Sequence, residues 1–270
     1  MTPYQMGWFL VAINLSDIAA KGGIPLGIVC SYGLPRKTSE SFLLNLTRGA
    51  DACAVAFGTT VIGGDTKETR EITLCGTAVG RMKKTEFMPR RGAHPGDVVA
   101  VTGTLGKAGV GYYALRQRNP ARKLTQGLLE PVPRLREGRL LAKLRAVSSS
   151  MDISDGLSSS LYQLRELNNV GFEIKRHTLP LATGFSGLPQ RKRGVSPVDI
   201  ALHFGGDYEL LVMIPVDRFE AAQKLLQQHG SSLTAIGTVT KKQDILLVDG
   251  TKKKILENKG YEHFKKHVFL

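Results

Sequence analysis

The stretch Met151-Asp152-Ile153-Ser154-Asp155-Gly156-Leu157 decides how the rest of this chain is read. Behind it, Leu157, Leu161, Leu164 and Leu167 recur at helical spacing, which predicts a helix with Ser154 or Asp155 at its N-cap and Gly171 as its stop. One acid at such a mouth is explained by capping, because a carboxylate satisfies free amides and favours the helix dipole. Two acids around Ile153-Ser154 repel each other unless a cation neutralises them. A hard cation such as Mg²⁺ takes oxygen ligands from one or two carboxylates and leaves its other positions to water and phosphate. On this stretch alone, capping and metal binding are both open.

The chain repeats the pattern. Asn14-Leu15-Ser16-Asp17 echoes Asp152-Ile153-Ser154-Asp155, follows the apolar run from Trp8 to Ile13, and is expected to open a short helix ending at Gly22-Gly23. Val61-Ile62-Gly63-Gly64-Asp65-Thr66 and His203-Phe204-Gly205-Gly206-Asp207-Tyr208 each place an Asp directly after a Gly pair at the edge of an apolar run. Glycines let the backbone approach a ligand closely, and an Asp beyond them can face the same ligand. Four Asp-bearing turns in paired styles suggest one shared acidic site.

Composition bounds the answer. The 270 residues, 42% hydrophobic and 22% charged, describe a globular chain long enough for one large or two medium domains. The early apolar run is short, lacks a basic leader and ends at Asn14, so neither a signal peptide nor a membrane span is read and a cytosolic protein is expected. Cys30, Cys53 and Cys75 are scattered and lack metal-ligand spacing, which predicts buried reduced thiols. The net charge of +14 is spread over Lys83-Lys84, Arg90-Arg91, Arg191-Lys192-Arg193, Lys252-Lys253-Lys254 and Lys265-Lys266. No nucleic-acid-binding motif accompanies these clusters, so they read as solvated faces. Arg90-Arg91 could instead neutralise a polyphosphate, which suits the acidic turns.

In chain order, strands are expected at Phe9–Leu15, Leu26–Tyr32, Thr60–Ile62 and Ile72–Val79, with a helix from about Ser39 to Phe57. The turn chemistry of Gly92-Ala93-His94-Pro95-Gly96-Asp97 marks a boundary, giving domains 1–91 and 92–270. Beyond it follow a strand at Val98–Thr102 and helices at Val110–Arg118 and from Pro131 to Leu144. The glycine run Gly103-Thr104-Leu105-Gly106-Lys107-Ala108-Gly109 is too short before Lys107 for a Walker A loop, and Ala108 stands where Ser or Thr would hold magnesium. A tight turn packing a helix on a strand explains it, and backbone contact with a phosphate is the other reading. Leu179–Pro197 reads as a surface loop, Tyr208–Ile214, Ala235–Val239 and Ile245–Val248 as strands, and Phe219–Gln228 as an amphipathic helix.

The motifs NLSDIAAKGG, IGGDTKET, RRGAHPGD, VTGTLGKAG, MDISDGL, GGDYELL and KGYEHF occur in this order over nearly the whole chain. Together they resemble the thiamine-monophosphate kinases, relatives of aminoimidazole ribonucleotide synthetase. The resemblance implies an α+β protein of two mixed α/β domains, whose amino-terminal domain binds ATP and Mg²⁺ and pairs with its twin in a homodimer. It implies direct transfer of the ATP γ-phosphoryl group to thiamine monophosphate, giving thiamine diphosphate. By the same resemblance Asp17, Asp65, Asp152 and Asp155 match metal ligands, Gly64, Asp65, Arg90 and Ser154 match ATP contacts, and Tyr261 matches the aromatic contact to the thiamine moiety. No side chain is assigned as catalytic base or nucleophile, since phosphoryl transfer needs mainly positioning and charge stabilisation.

The pattern departs from the family in two places. Members usually begin earlier, with a Gly-Asp-Asp turn and a Thr-Asp pair that supply further metal ligands, so an incomplete amino-terminal domain is expected. At Gly205-Gly206-Asp207 the family has an additional Glu that contacts substrate, and Asp207 is the candidate to replace it. A related ATP-dependent enzyme with another substrate, or a non-catalytic nucleotide-binding and dimerising remnant, are the alternative readings.

Overall fold

The computed structural model describes residues 1–116, 121–185, 196–262 and 264. Its first element is α1 (Pro3–Ala20), opened by a capping box: Thr2 accepts from the Gln5 amide, the Gln5 side chain accepts from the Thr2 amide, and Pro3 takes the first helical position. The strand expected over Phe9–Leu15 and the separate helix expected after it are one continuous helix, which places Asn14-Leu15-Ser16-Asp17 in its last turns. Leu10, Val11, Ala12, Leu15, Ser16, Ala19 and Ala20 are all buried, so the helix is apolar over too wide an arc to show a clean period.

Next come β1 (Ile24–Leu34), α2 (Glu40–Ala56), β2 (Val61–Glu68) and β3 (Thr73–Arg81). Ser39 caps α2 as expected, accepting from the Phe42 amide. The strands form a sheet in the order β2-β1-β3, parallel between β1 and β2 and antiparallel between β1 and β3. Gly63-Gly64-Asp65 lies within β2 and is not a turn. On the helix-covered face Ile28, Cys30 and Tyr32 join the core formed by Leu10, Leu15, Leu46 and Cys53. Leu26, Val29, Cys75 and Val79 point the other way and are exposed, so Cys75 does not share the buried environment of the other two thiols.

The remainder builds β4 (Val98–Thr102), α3 (Lys107–Leu115), α4 (Arg122–Leu129), α5 (Leu135–Leu144), β5 (Ser149–Asp152), α6 (Leu157–Asn168), β6 (Gly171–Lys175), α7 (Pro197–His203), β7 (Leu210–Ile214), α8 (Val216–Gln228), β8 (Leu233–Thr240), β9 (Ile245–Asp249) and β10 (Lys252–Ile255). Seven strands make one sheet in the order β10-β9-β6-β8-β4-β7-β5, antiparallel throughout except for β6 beside β9. The helix expected at Val110–Arg118 starts earlier, at Lys107. Gly171 opens β6 instead of stopping α6, which ends at Asn168 with Asn169 in the left-handed region at φ 56°. Part of the expected loop at 179–197, the Arg191-Lys192-Arg193 and Lys265-Lys266 clusters and His263 lie outside the described residues.

β7 explains how the pieces meet. Leu210, Val212 and Ile214 enter the same core as α1, α2, α5 and α8, while Leu211 and Met213 enter a second core with Ile153 and the α6 residues Leu157, Leu161 and Leu164. Both faces of β7 are covered, as its unbroken apolar sequence demands. α1 thus lies between the small sheet and one face of the large one, and its last turns come against the end of β5.

Candidate active site

Asp152 is the last residue of β5 and only 5% exposed. A buried carboxylate needs a donor, and Ser16 of α1 supplies one, its hydroxyl donating to Asp152 Oδ2 at 2.6 Å. Asp17, the next residue on the helix, is exposed. Beyond β5 the chain passes through Ser154 and Asp155 to Gly156, which takes φ 94° and stands as the N-cap of α6 without a side-chain cap. Neither Ser154 nor Asp155 caps the helix; the Ser154 hydroxyl donates instead to Asp155 Oδ2 at 3.2 Å. Capping therefore does not account for the acids of this stretch.

The electrostatics tie three of these acids together. Burial, above all, raises the Asp152 carboxyl above its ordinary range, opposed by the Ser16 hydrogen bond and by Arg90, and reinforced by the charge of Asp17. Burial and the charge of Arg90 bring Lys21 down to about 8, while Asp152 and Asp17 pull it back up. Burial and then the charges of Asp152, Asp155 and Asp17 raise the Tyr208 phenol. Arg90 is fixed through its backbone, its carbonyl accepting from Ser149 Oγ at 2.7 Å and Asn168 Nδ2 at 3.0 Å. Asp17, Asp152, Asp155, Lys21, Arg90 and Tyr208 thus share one neighbourhood at the junction of the two sheets.

Asp65 is elsewhere. It lies on β2 with its side chain 62% exposed, paired with Lys67 at 3.3 Å, and it lines an open basin of about 410 Å³ with Gly64, Cys30, Tyr32, Thr47 and Asp51. Gly64 is held to glycine by the sheet itself, since a Cβ would come within 1.8 Å of the Cys30 carbonyl. Among the described residues Asp65 shares no hydrogen bond or ion pair with Asp17, Asp152 or Asp155. The single acidic site expected from four segments is, within this chain, a group of three acids from two of them, Asp17, Asp152 and Asp155, while Asp65 and Asp207, which follow the Gly-Gly pairs, lie apart from it.

Asp207 is also not where a substrate contact would be. It is 4% exposed, and its carboxylate accepts from the amides of Gly106 at 2.5 Å and Ala108 at 3.0 Å. The first amides of α3 therefore bind an internal carboxylate, which answers the question of a phosphate on this glycine run. Two residues on, Glu209 is fully buried and held by a fork from Arg134 (2.7 and 2.6 Å), by Lys107 Nζ at 2.5 Å and by Thr102 Oγ1 at 2.7 Å. Although burial works against ionisation, Arg134 and Lys107 hold the Glu209 carboxyl below its ordinary range. Gly103 must be small here, because a Cβ would fall 2.3 Å from the Glu209 carboxylate. Sequence reasoning missed this hub; the available signal was an acid directly before the run Leu210–Ile214, where a buried charge must find a partner.

Tyr261 reaches the acid cluster through its backbone, its amide donating to the Asp155 carbonyl at 3.0 Å. Its side chain lines a cavity of about 260 Å³ with Asp155, Ser159, Tyr162, Glu166 and Glu262. Aromatic faces and acids around one hollow suit a flat cation.

Comparison with known proteins fits this arrangement. The family models for the N-terminal and C-terminal domains of AIR synthase related proteins match residues 1–82 and 94–249. The thiamine-monophosphate kinase of Methanospirillum hungatei is 37% identical over 97% of this chain and 82% of its own length, and that of Pyrococcus horikoshii 33% identical over 98% and 81%. The chain belongs to the thiamine-monophosphate kinase family. A solved structure of the family, AaThiL complexed with AMPPCP and TMP, superposes with a TM-score of 0.85 at 30% identity, covering 98% of this chain and 82% of the other. The expected α+β fold is thereby borne out, as is the expected enzyme class, a kinase of thiamine biosynthesis.

For a thiamine-monophosphate kinase the donor set matters more than the number of acids. Among the described residues no three His, Cys, Asp or Glu side chains are gathered closely enough to hold a metal alone. Asp17 and Asp152 are near enough for the charge of one to act on the other, and Mg²⁺ asks for no more than one or two protein carboxylates when phosphate supplies the rest. The donors fit a hard cation. His203 is buried, and its Nδ1 lies 2.9 Å from the Ser158 hydroxyl.

Proposed function

We propose that this chain transfers the γ-phosphoryl group of ATP to the phosphate of thiamine monophosphate in one in-line step. A phosphate oxygen of thiamine monophosphate forms the new bond to phosphorus, the bond to the β–γ bridging oxygen breaks, and ADP leaves with that electron pair. The acceptor oxygen is already anionic, so no base has to remove a proton. The observation that carries the reading is the convergence of Asp17, Asp152 and Asp155 with Lys21 and Arg90 next to the Tyr261 cavity. Mg²⁺ held by Asp17 and Asp152, with Asp155 beside them, would screen the two phosphates from each other. Lys21 and Arg90 would supply positive charge at the same place, and Ser154 would contact the nucleotide. Tyr261, with Asp155 and Glu166, offers the thiazolium ring an aromatic and acidic seat, the Tyr162 ring being already stacked by the Arg165 guanidinium at 4.6 Å.

Gly64 and Asp65 serve the nucleotide in this reading from the amino-terminal domain, residues 1–91, and residues 92–270 carry the rest. The bare face of the small sheet, with Leu26, Val29, Cys75 and Val79, is the surface through which two copies pair. Among the described residues no helix is long and apolar enough to cross a membrane, and a cytoplasmic setting suits three unpaired thiols. The test is direct. Purified protein incubated with Mg²⁺, ATP and thiamine monophosphate is expected to form thiamine diphosphate and ADP in equal amounts. Nucleotide binding without any product would leave the chain a binding module and end the kinase reading.

A further inference from the structure

Tyr208 has a backbone that residues with a side chain rarely adopt, at φ 51°. Three other non-glycine residues among those described have positive φ. Arg145 and Asn169 close helices, where the left-handed region is ordinary. Phe264 belongs to the tail. Tyr208 closes nothing. It sits instead between two acids that are both pinned from within: Asp207 on the amides that begin α3, and Glu209 on Arg134, Lys107 and Thr102.

The backbone on either side is fixed as well. The Tyr208 amide donates to the Ile153 carbonyl at 2.9 Å, the Ile153 amide returns to the Glu209 carbonyl at 2.9 Å, and the Gly206 amide donates to the Ser154 carbonyl at 2.7 Å. A strained residue persists where its surroundings over-determine it, and such residues gather at functional sites. Here the constraint ties Tyr208 to the stretch that carries Asp152 and Asp155. The ring packs edge-on against Phe9 of α1, centroids 6.0 Å apart, two turns before Asp17. Among the described residues its hydroxyl has no hydrogen-bond partner, yet it is not a sealed atom. Burial and the surrounding acids keep it a neutral phenol, hence a donor.

We infer that the Tyr208 hydroxyl is a ligand contact of this site, donating a hydrogen bond to an oxygen of the phosphoryl group that is transferred. The inference rests on the kinase reading. Carboxylates can only accept, so a donor that does not bond them is free for the oxygens that gather charge during transfer. Nothing else in the position calls for tyrosine: glycine would relieve the backbone, and phenylalanine would pack on Phe9.

The experiment compares Tyr208→Phe with the unaltered protein by calorimetry in the presence of Mg²⁺, using AMPPCP and ADP. Loss of a hydrogen bond to the third phosphate is expected to weaken AMPPCP by about tenfold while ADP stays within about twofold. The same variant is expected to lose at least about tenfold in kcat with little change in melting temperature. Phe9→Leu, which removes the ring contact and keeps the hydroxyl, is expected to retain the preference for AMPPCP. Equal affinity changes for both nucleotides, or a Phe9→Leu protein that loses the preference, would show that Tyr208 only packs. A protein that distinguishes AMPPCP from ADP through Tyr208 but makes no thiamine diphosphate would end the thiamine reading and leave the phosphoryl contact standing.

Discussion

The two sheets of this molecule are built to opposite rules. All five residues of β7 are buried and both faces of the strand are covered, whereas seven of the eight residues of β2 are exposed. The large sheet holds its polar groups by enclosing them: Glu209 and Asp207 are anchored by several donors each, and Asp152, at the end of β5, is satisfied by Ser16 from α1. The small sheet leaves its polar groups in solvent, with Asp65 held by exposed Lys67 and the neighbouring Thr66 amide. The difference separates a rigid chemical floor from a surface that is finished by something else, which in the proposed function is a second copy.

If that contrast is right, equal changes in the two regions have unequal costs. The largest effect is expected at Arg134→Ala, which leaves Glu209 charged, buried and short of its fork, at a cost of about 3–5 kcal/mol of unfolding free energy. Denaturant titration reads it, and a loss below about 1 kcal/mol would mean that the pair is not under tension.

The next effect is on acidification. Burial lowers the pKa of His203 from 6.5 to about 4, with Asp199 opposing the shift. A group whose folded pKa is depressed contributes stability that is present above its unfolded value and lost as pH falls through the folded one. Stability is therefore expected to fall between pH 6.5 and about 4 by up to roughly 3 kcal/mol from this group alone, and His203→Gln is expected to flatten that part of the pH profile. An unchanged slope would remove His203 from the account. Asp207, raised to about 6 mainly by burial, contributes with the opposite sign as pH rises from 3.8 through 6, so the difference between protein and variant is the quantity to compare.

The smallest stability effect belongs to the small sheet. Val29→Lys and Val79→Lys, both on the bare face, are each expected to change monomer stability by no more than about 0.5 kcal/mol. Sedimentation is nevertheless expected to show a dimer converted to monomer, and the exposed thiol of Cys75 on the same face to become faster to modify. A variant that remains dimeric would place the interface elsewhere.

How much of this was legible in the sequence differs along the same divide. The strand Val98–Thr102, the Ser39 cap and the helix ending at Gln228 follow local rules and stand where they were expected. α1 was misread because its wide apolar arc hides the helical period, although Thr2, Pro3 and Gln5 carried the start signal. The pairing of Ser16 with Asp152 joins positions 136 residues apart, and that of Arg134 with Glu209 positions 75 apart; neither separation leaves a local trace. Asp207 and Asp65 follow identical Gly-Gly pairs, yet one caps a helix inside the core and the other lies on an open strand. Motif likeness told what the two segments could do, and packing decided which way each carboxylate faced.

The central claim is that Asp17, Asp152 and Asp155 form the floor on which phosphoryl transfer takes place. The most direct measurement is the rate of thiamine diphosphate formation by Asp152→Asn at saturating ATP, thiamine monophosphate and Mg²⁺, with the melting temperature recorded alongside. Asparagine keeps the size of the side chain and can still accept from Ser16, but it lacks the charge a hard cation needs. The account predicts a folded protein whose kcat falls by at least about 100-fold, or about 2.7 kcal/mol of transition-state stabilisation. A folded variant that keeps turnover within about threefold of the unaltered protein, a loss below 1 kcal/mol, would contradict it.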